Sequence, residues 1–262
     1  MLIESLKNPK IKKLLLLEAK KKERKTQNLF VVEGLQENYW ALEAGFLAKE
    51  FFIYPDIFQN KIKLPEDVLK NFISKTLFEK ISYRETSGGI IGLYESKYIT
   101  IDEIKFINTQ PLIVVVDAIE KPGNLGAILR SAEASNVDAV ILSDSLLDIY
   151  NSNVVRASVG ALFLNQVVIE TSEKVQSWLK KHQITSYATY LNNSSKSIYN
   201  FDLKKPTAFV FGTESTGLSE SWLSFCDQKI IIPMSGKIDS LNVSNATTIC
   251  LFEANRQRNY AN

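Results

Sequence analysis

Leu112-Ile113-Val114-Val115-Val116 is a continuous apolar run that opens a strict alternation of strand-like and helix-like segments. A run apolar at every position, with no polar alternation, predicts a strand covered on both faces, as in a parallel sheet. Working outward, Asn124–Ser135 reads as a helix and Ala139–Leu142 as the next strand. Further strands are predicted over 163–169, 186–191, 208–211 and 229–232, with helices over 173–182 and 218–225 and a long closing helix over 240–258. Strands alternating with helices argue for a parallel α/β sheet.

Upstream the pattern is different. Ser5–Lys25 reads as one helix with Ser5 as N-cap, followed by a strand at Leu29–Glu33 that ends in the Gly34 turn. Glu37–Ala44 reads as a helix stopped by Gly45, Phe51–Tyr54 as a strand and Val68–Ile73 as a helical piece, and Ser87-Gly88-Gly89-Ile90 as a turn into another strand. The expected division is a small mixed α/β domain over 1–97, a linker over 98–110 punctuated by Pro111, and an α/β domain over 111–262.

Composition narrows the class. The 262 residues are 45% apolar and 23% charged, which suits a globular chain with a substantial core. No apolar run reaches the roughly 18–20 residues a membrane span requires, and the four-residue Leu14–Leu17 run is flanked by lysines, unlike a signal-peptide core. Two cysteines, Cys226 and Cys250, at no metal-type spacing point to a reducing, cytoplasmic setting. With His182 as the single histidine, a His-rich zinc site is excluded and no metal is expected. Net charge is +2, but residues 1–26 hold nine basic residues against three glutamates, a local +6 that leaves about −4 elsewhere. Lys10, Lys12, Lys13, Lys21 and Arg24 form either a phosphate-seeking arm or a solvated helix face.

Three loops carry the chemistry. The first joins Val116-Asp117 to Pro122-Gly123-Asn124-Leu125-Gly126-Ala127-Ile128-Leu129-Arg130. It lacks G-x-G-x-x-G and the G-K-[ST] ending, so neither a dinucleotide nor ATP is supported, nor an oxidoreductase. If a helix starts near Asn124, Arg130 lies nearly two turns along it, on roughly the same side. The second, Phe211-Gly212-Thr213-Glu214-Ser215-Thr216-Gly217, sets a carboxylate just beyond a buried strand, where open α/β sheets bind ligands; a helix cap is the alternative role for Glu214. The third runs from Ile232-Pro233-Met234-Ser235-Gly236 to Ser240-Leu241-Asn242-Val243-Ser244-Asn245, and Ser240, Asn242, Ser244 and Asn245 exceed what one N-cap needs.

In order and spacing, these three stretches resemble the signature motifs of the SpoU/TrmH family of RNA ribose methyltransferases, of the SPOUT superfamily. The likeness covers nearly all of 111–258, and the first ~95 residues are similar to the family's amino-terminal RNA-binding domain. The resemblance implies S-adenosylmethionine-dependent methylation of a ribose 2′-hydroxyl, with ribosomal RNA as the leading substrate. Transfer RNA, or RNA binding without catalysis, is the alternative. It implies a parallel sheet with Rossmann-like layers closed by a trefoil knot, and a homodimer. By motif match the cofactor would be held at Thr189, Gly212, Ile232, Met234 and Leu241, and catalysis would rest on Asn124, Arg130, Glu214, Ser240 and Asn242. Arg156, in Asn151-Ser152-Asn153-Val154-Val155-Arg156, would contact RNA or the partner subunit, the alternative being a polar loop before a helical turn. Thr213 and Ser215 stand where the family more often has Asn and Gly, and Ser135-Asn136 where Phe-Gly is common.

Overall fold

The computed structural model describes residues 2–83, 87–192, 195–213, 217–238 and 240–260, and the chain divides into two units. Unit 1 holds Met1–Lys97 and Asp148–Leu164, and unit 2 holds Tyr98–Leu147 and Asn165–Asn262. In chain order the first unit contributes β1 (Leu2–Ile3), α1 (Pro9–Ala19), α2 (Lys21–Gln27), β2 (Leu29–Glu33), α3 (Leu35–Glu43), β3 (Ala48–Ile53), α4 (Pro55–Phe58), β4 (Leu69–Ile73), α5 (Lys75–Ile81) and β5 (Ile90–Glu95). Then follow β6 (Leu112–Asp117), α6 (Pro122–Ala134) and β7 (Ala139–Ser143) of unit 2, and α7 (Ser152–Ser158) and α8 (Ala161–Leu164) of unit 1. Unit 2 closes with β8 (Val167–Glu170), α9 (Ser172–Lys181), β9 (Thr185–Thr189), β10 (Lys196–Ser197), β11 (Thr207–Phe211), α10 (Glu220–Phe225), β12 (Gln228–Ile231) and α11 (Val243–Asn255).

Unit 1 is a five-stranded mixed sheet, ordered β1-β4-β3-β5-β2. The β1–β4 and β4–β3 pairs are parallel and the pairs made by β5 antiparallel. The single helix expected over 5–25 is broken. Lys20 is extended (φ −119, ψ 114), and Asn8, not Ser5, caps α1 by accepting from Lys10 N at 2.9 Å. The break is stabilised from within, because Arg24 of α2 donates to the last carbonyls of α1, Leu17 O at 2.6 Å and Glu18 O at 2.9 Å. The helical piece expected over 68–73 is strand β4. Asn71 and Ile73 are buried while Lys70 and Phe72 are not, a two-residue period, and pairing between β1 and β3 overrides local propensity.

Unit 2 is a seven-stranded sheet, β10-β12-β9-β11-β6-β7-β8, in which every pairing is parallel. β6, β7 and β11 are buried at every position, which is why their sequences show no polar alternation. The strand expected over 163–169 is instead the end of α8 and then β8, since Phe163 packs in unit 1 against Phe46, with ring centroids 5.1 Å apart. The closing helix is shorter than expected; Asn242 caps α11, and a wider π-helical turn follows over Arg256–Tyr260. Arg258 pins that turn by donating to the carbonyls of Leu203 at 2.9 Å, Lys205 at 2.7 Å and Gln110 at 2.6 Å.

From β6 the chain runs outward through β7 and β8, then returns to build β11, β9 and β12 on the opposite side. The order in which strands are laid down therefore reverses between β6 and β11, with all strands still parallel. Open α/β sheets bind their ligands at such a switch point, beyond the carboxyl ends of the strands.

Candidate active site

At that edge β11 ends in Gly212. A Cβ there would stand 2.1 Å from the carbonyl carbon of Gly217 and 2.3 Å from its oxygen, so two backbone segments meet where only hydrogen fits. Thr213 and Gly217 exchange backbone hydrogen bonds of 3.1 Å each, closing a tight loop, and Gly217 takes the left-handed conformation the turn needs (φ +71). Glu214 lies outside the described residues. Downstream, α10 gets no hydrogen bond from the side chain of its own N-cap, Ser219. Asp117, buried at the end of β6, accepts from Ser219 N at 3.2 Å, and from Ser143 Oγ at 3.3 Å. The sequence reading missed Asp117, which carries no motif signal beyond ending an apolar strand.

A cavity of about 630 Å³ opens beyond β9, β11 and β12. Thr189, Gly212, Ile232, Met234 and Leu241 all line it, together with Ser240 and Asn242. Thr189 is fixed by donating its hydroxyl to Val210 O at 3.1 Å. The wall combines the backbone of three loops with apolar side chains such as Leu218, Leu191 and Val243. Its volume lies within the roughly 300–1,000 Å³ typical of small-molecule sites. The close approach of Gly212 to the Gly217 backbone shapes a wall in which main chain is exposed to the cavity, which suits a ligand held against backbone. A smaller cavity of about 110 Å³ shares Gly212 and Thr213 with it and reaches Asn124 and Glu120 at the β6–β11 switch point. Lys121 lines both cavities, a placement the sequence reading did not anticipate.

The first and third motifs meet directly. Asn242 Nδ2 donates to Asn124 Oδ1 at 3.2 Å, while Asn242 Oδ1 accepts from Ser244 N at 2.9 Å and Ser244 Oγ at 2.6 Å. One asparagine thus caps α11 and ties it to α6. Further along, Ser131 Oγ and Thr248 Oγ1 lie 2.7 Å apart, bridging the same two helices. Arg130 is the exception. Six residues at 100° each leave it roughly 120° around the helix from Asn124, so the two do not share a face. Ser131 does share that face, whereas Arg130 is exposed and outside the cavity wall.

In unit 1 the expected RNA-contacting residues separate. Lys12, Lys13 and Lys21 are exposed. Lys10 Nζ is bound to Glu50 at 2.7 Å and to Asn71 Oδ1 at 2.8 Å. Arg24 does not face solvent: it is 3% exposed and paired with Asp148 at 2.7 Å, so its placement among RNA-contacting residues is corrected to an internal ion pair. Arg156 lies 3.6 Å from Glu18 and 3.9 Å from Glu33, its guanidinium 4.2 Å from the Tyr83 ring centre.

Among the described residues no group of three or more His, Cys, Asp or Glu side chains is placed to hold a metal, and no helix is long and apolar enough to cross a membrane. Burial pushes the Cys226 thiol up to about 12 and also raises Cys250, which disfavours the reactive thiolate at both.

Residues 111–252 match the SpoU rRNA Methylase family, and residues 8–92 match the MRM3-like substrate binding domain. The 23S rRNA (uridine(2479)-2′-O)-methyltransferase of Streptomyces viridochromogenes is 35% identical over 55% of this chain, which spans about half (52%) of that relative's length. The 23S rRNA (guanosine(2553)-2′-O)-methyltransferase RlmP of Bacillus subtilis is 28% identical over 95% of this chain and 97% of its own. The AdoMet-bound rRNA methyltransferase structure from Sinorhizobium meliloti superimposes with a TM-score of 0.88 at 28% identity, covering 100% of this chain and 99% of that one. With the site's three loops falling inside the matched stretch, the chain belongs to the SpoU rRNA methylase family.

Proposed function

We propose that this protein transfers a methyl group from S-adenosylmethionine to a ribose 2′-hydroxyl of RNA, with ribosomal RNA as the substrate. The observation that carries the reading is convergence: Thr189, Gly212, Ile232, Met234, Leu241, Ser240 and Asn242, drawn from three separated stretches, line one cavity at the carboxyl edge of the sheet. Bound there, the cofactor would supply an electrophilic methyl on a sulfonium centre. The chain's own task is to position the hydroxyl and stabilise charge as it ionises.

Asn124, held by Asn242, stands in the smaller adjoining cavity with Lys121, and orients the ribose there. Arg130, a guanidinium permanently protonated in proteins, stabilises the developing alkoxide while a phosphate or carboxylate accepts the proton. Arg130 is exposed and lies outside the cavity wall, and in the homodimer this reading includes, the partner subunit would complete the site around it. The trefoil knot belongs to the same reading. It comes from the resemblance of the three motifs to the SpoU/TrmH family, and α11 packs against α6 and β11, beside the strands whose loops line the cavity. Unit 1 holds the substrate RNA, and two unpaired thiols suit action in the cytoplasm.

The test is transfer of labelled methyl groups to ribosomal RNA from cells lacking this gene, with 2′-O-methyl mapping of the product. Arg130→Ala is expected to abolish turnover while sparing cofactor binding, and near-normal turnover would sink its assignment. Methylation of transfer RNA alone would move the substrate; cofactor binding without transfer to any RNA would leave a binding protein.

A further inference from the structure

Unit 1 has a cavity of its own, about 370 Å³, that methyl transfer does not use. Its wall includes Glu33 at the end of β2, Glu37 in the first turn of α3, Ser87 before β5, Arg156 of α7 and Tyr39. Glu33, Glu37 and Ser87 are each 5% exposed. Gly34, between β2 and α3, has φ +113, and a Cβ there would meet Glu37 Oε2 at 2.1 Å, so glycine is what lets that carboxylate fold back over the start of the helix. Glu33 accepts from Tyr83 N at 2.9 Å and faces the Arg156 guanidinium.

Ser87 Oγ is fully buried and has no hydrogen-bond partner. Burying a hydroxyl unsatisfied costs about 1–3 kcal/mol. Ser87 lines the cavity, so a group entering there completes the hydroxyl once the atoms that cover it shift aside. Two carboxylates disfavour a phosphate. A hydroxyl and a guanidinium beside two carboxylates suit a neutral planar group with hydrogen-bond donors on one edge and acceptors on another. Among the four RNA bases guanine has this pattern, with N1–H and N2–H₂ as donors and O6 and N7 as acceptors. Splayed-out bases read on their edges and stacked on aromatic rings are the usual currency of single-stranded RNA recognition.

We propose that this cavity receives an unpaired guanine base of the substrate RNA, with Glu33 and Glu37 accepting from its Watson–Crick donors and Ser87 and Arg156 facing O6 and N7. The proposal rests on the reading of this chain as an RNA methyltransferase, and narrows what the RNA must offer.

The test is saturation-transfer NMR on the full-length protein with GMP, IMP, AMP, CMP and UMP, and with short single-stranded oligoribonucleotides carrying one guanine or one inosine. GMP and the guanine oligonucleotide are expected to bind. The inosine counterparts, which lack the 2-amino donor, are expected to bind about tenfold more weakly, the worth of one hydrogen bond to a charged group. Ser87→Val should remove binding, as should Ile62→Trp, which fills the cavity and removes no buried polar group, and both should leave S-adenosylmethionine binding intact. Equal binding of all nucleotides, no GMP signal, or a signal surviving both substitutions would overturn the proposal. GMP binding without binding of the guanine oligonucleotide would overturn it too, marking a free-nucleotide site. Guanine binding by a protein that methylates no RNA would sink the enzyme reading and leave the pocket standing; methylation without guanine selectivity would do the reverse.

Discussion

Gly212→Ala is the sharpest probe of the cofactor cavity. The added methyl would sit 2.1 Å from the Gly217 carbonyl carbon and 2.3 Å from Leu218 N, both backbone atoms that no rotamer change moves aside. To reach an ordinary contact, the segment around Gly217 must retreat by more than an ångström, against the reciprocal 3.1 Å bonds between Thr213 and Gly217 and the hold of Asp117 on Ser219 N. Overpacking of this kind costs typically 1–3 kcal/mol. Because Gly217 and Leu218 form part of the cavity wall, most of that strain should appear in binding. At about 1.4 kcal/mol per factor of ten, the dissociation constant for S-adenosylmethionine should rise roughly five- to more than a hundredfold. Calorimetric titration measures this directly, with circular dichroism confirming that the sheet persists. An alanine variant that binds the cofactor like wild type would refute the claim that this backbone approach shapes the site.

Three other outcomes are expected. Arg24→Ala should lower the unfolding free energy of unit 1 by about 3–5 kcal/mol in urea titrations, because it strands buried Asp148, and a paired Arg24→Met/Asp148→Leu replacement should recover much of it; no loss would contradict the buried ion pair. Burial pushes the Glu18 carboxyl up to about 7, with Arg156 pulling down and Glu33 pushing up. The folded state therefore holds a proton the unfolded chain releases, and this group's contribution, about 3 kcal/mol at most, is present below about pH 4.5 and lost as pH rises through about 7. Glu18→Gln should flatten the fall in stability over that window, so parallel wild-type and variant profiles would dismiss it. Replacing exposed Lys12 and Lys13 with alanine should reduce the salt slope of RNA affinity by about 0.7–0.9 per lysine, an unchanged slope arguing for a merely solvated face.

Much of unit 2 was legible because its central strands β6, β7 and β11 are nearly wholly apolar and loops rich in Gly, Pro or Asn follow its strands. Leu112–Asp117 and Thr207–Phe211 could not be read as exposed alternating strands, and the polar cluster from Ser240 to Asn245 announced a helix start, although only the structure placed the cap at Asn242. Unit 1 was less legible. Leu69–Ile73 is a strand through its neighbours, and Lys20 breaks a helix whose ends are joined by Arg24, a contact between residues whose sequence gives no sign of burial. Basic residues look alike in a sequence, so only packing separated Arg24, bound to Asp148 from 124 residues away, from exposed Lys12 and Lys13. Arg130 shows the limit of spacing arguments, since one residue along a helix is 100° of azimuth and decides whether a side chain meets α11, as Ser131 meets Thr248, or solvent.

Residue order alone determined that glycine, asparagine and serine stand at the ends of apolar strands, because backbone conformation and chain punctuation are local properties. Which strands would be neighbours was not local. The order β12-β9-β11-β6 brings loops from opposite ends of unit 2 around one cavity, and it was settled by which buried faces could pair and pack together. The same holds for Ser87, whose unpartnered buried hydroxyl becomes informative only once the fold sets it in a cavity wall beside Glu33 and Arg156.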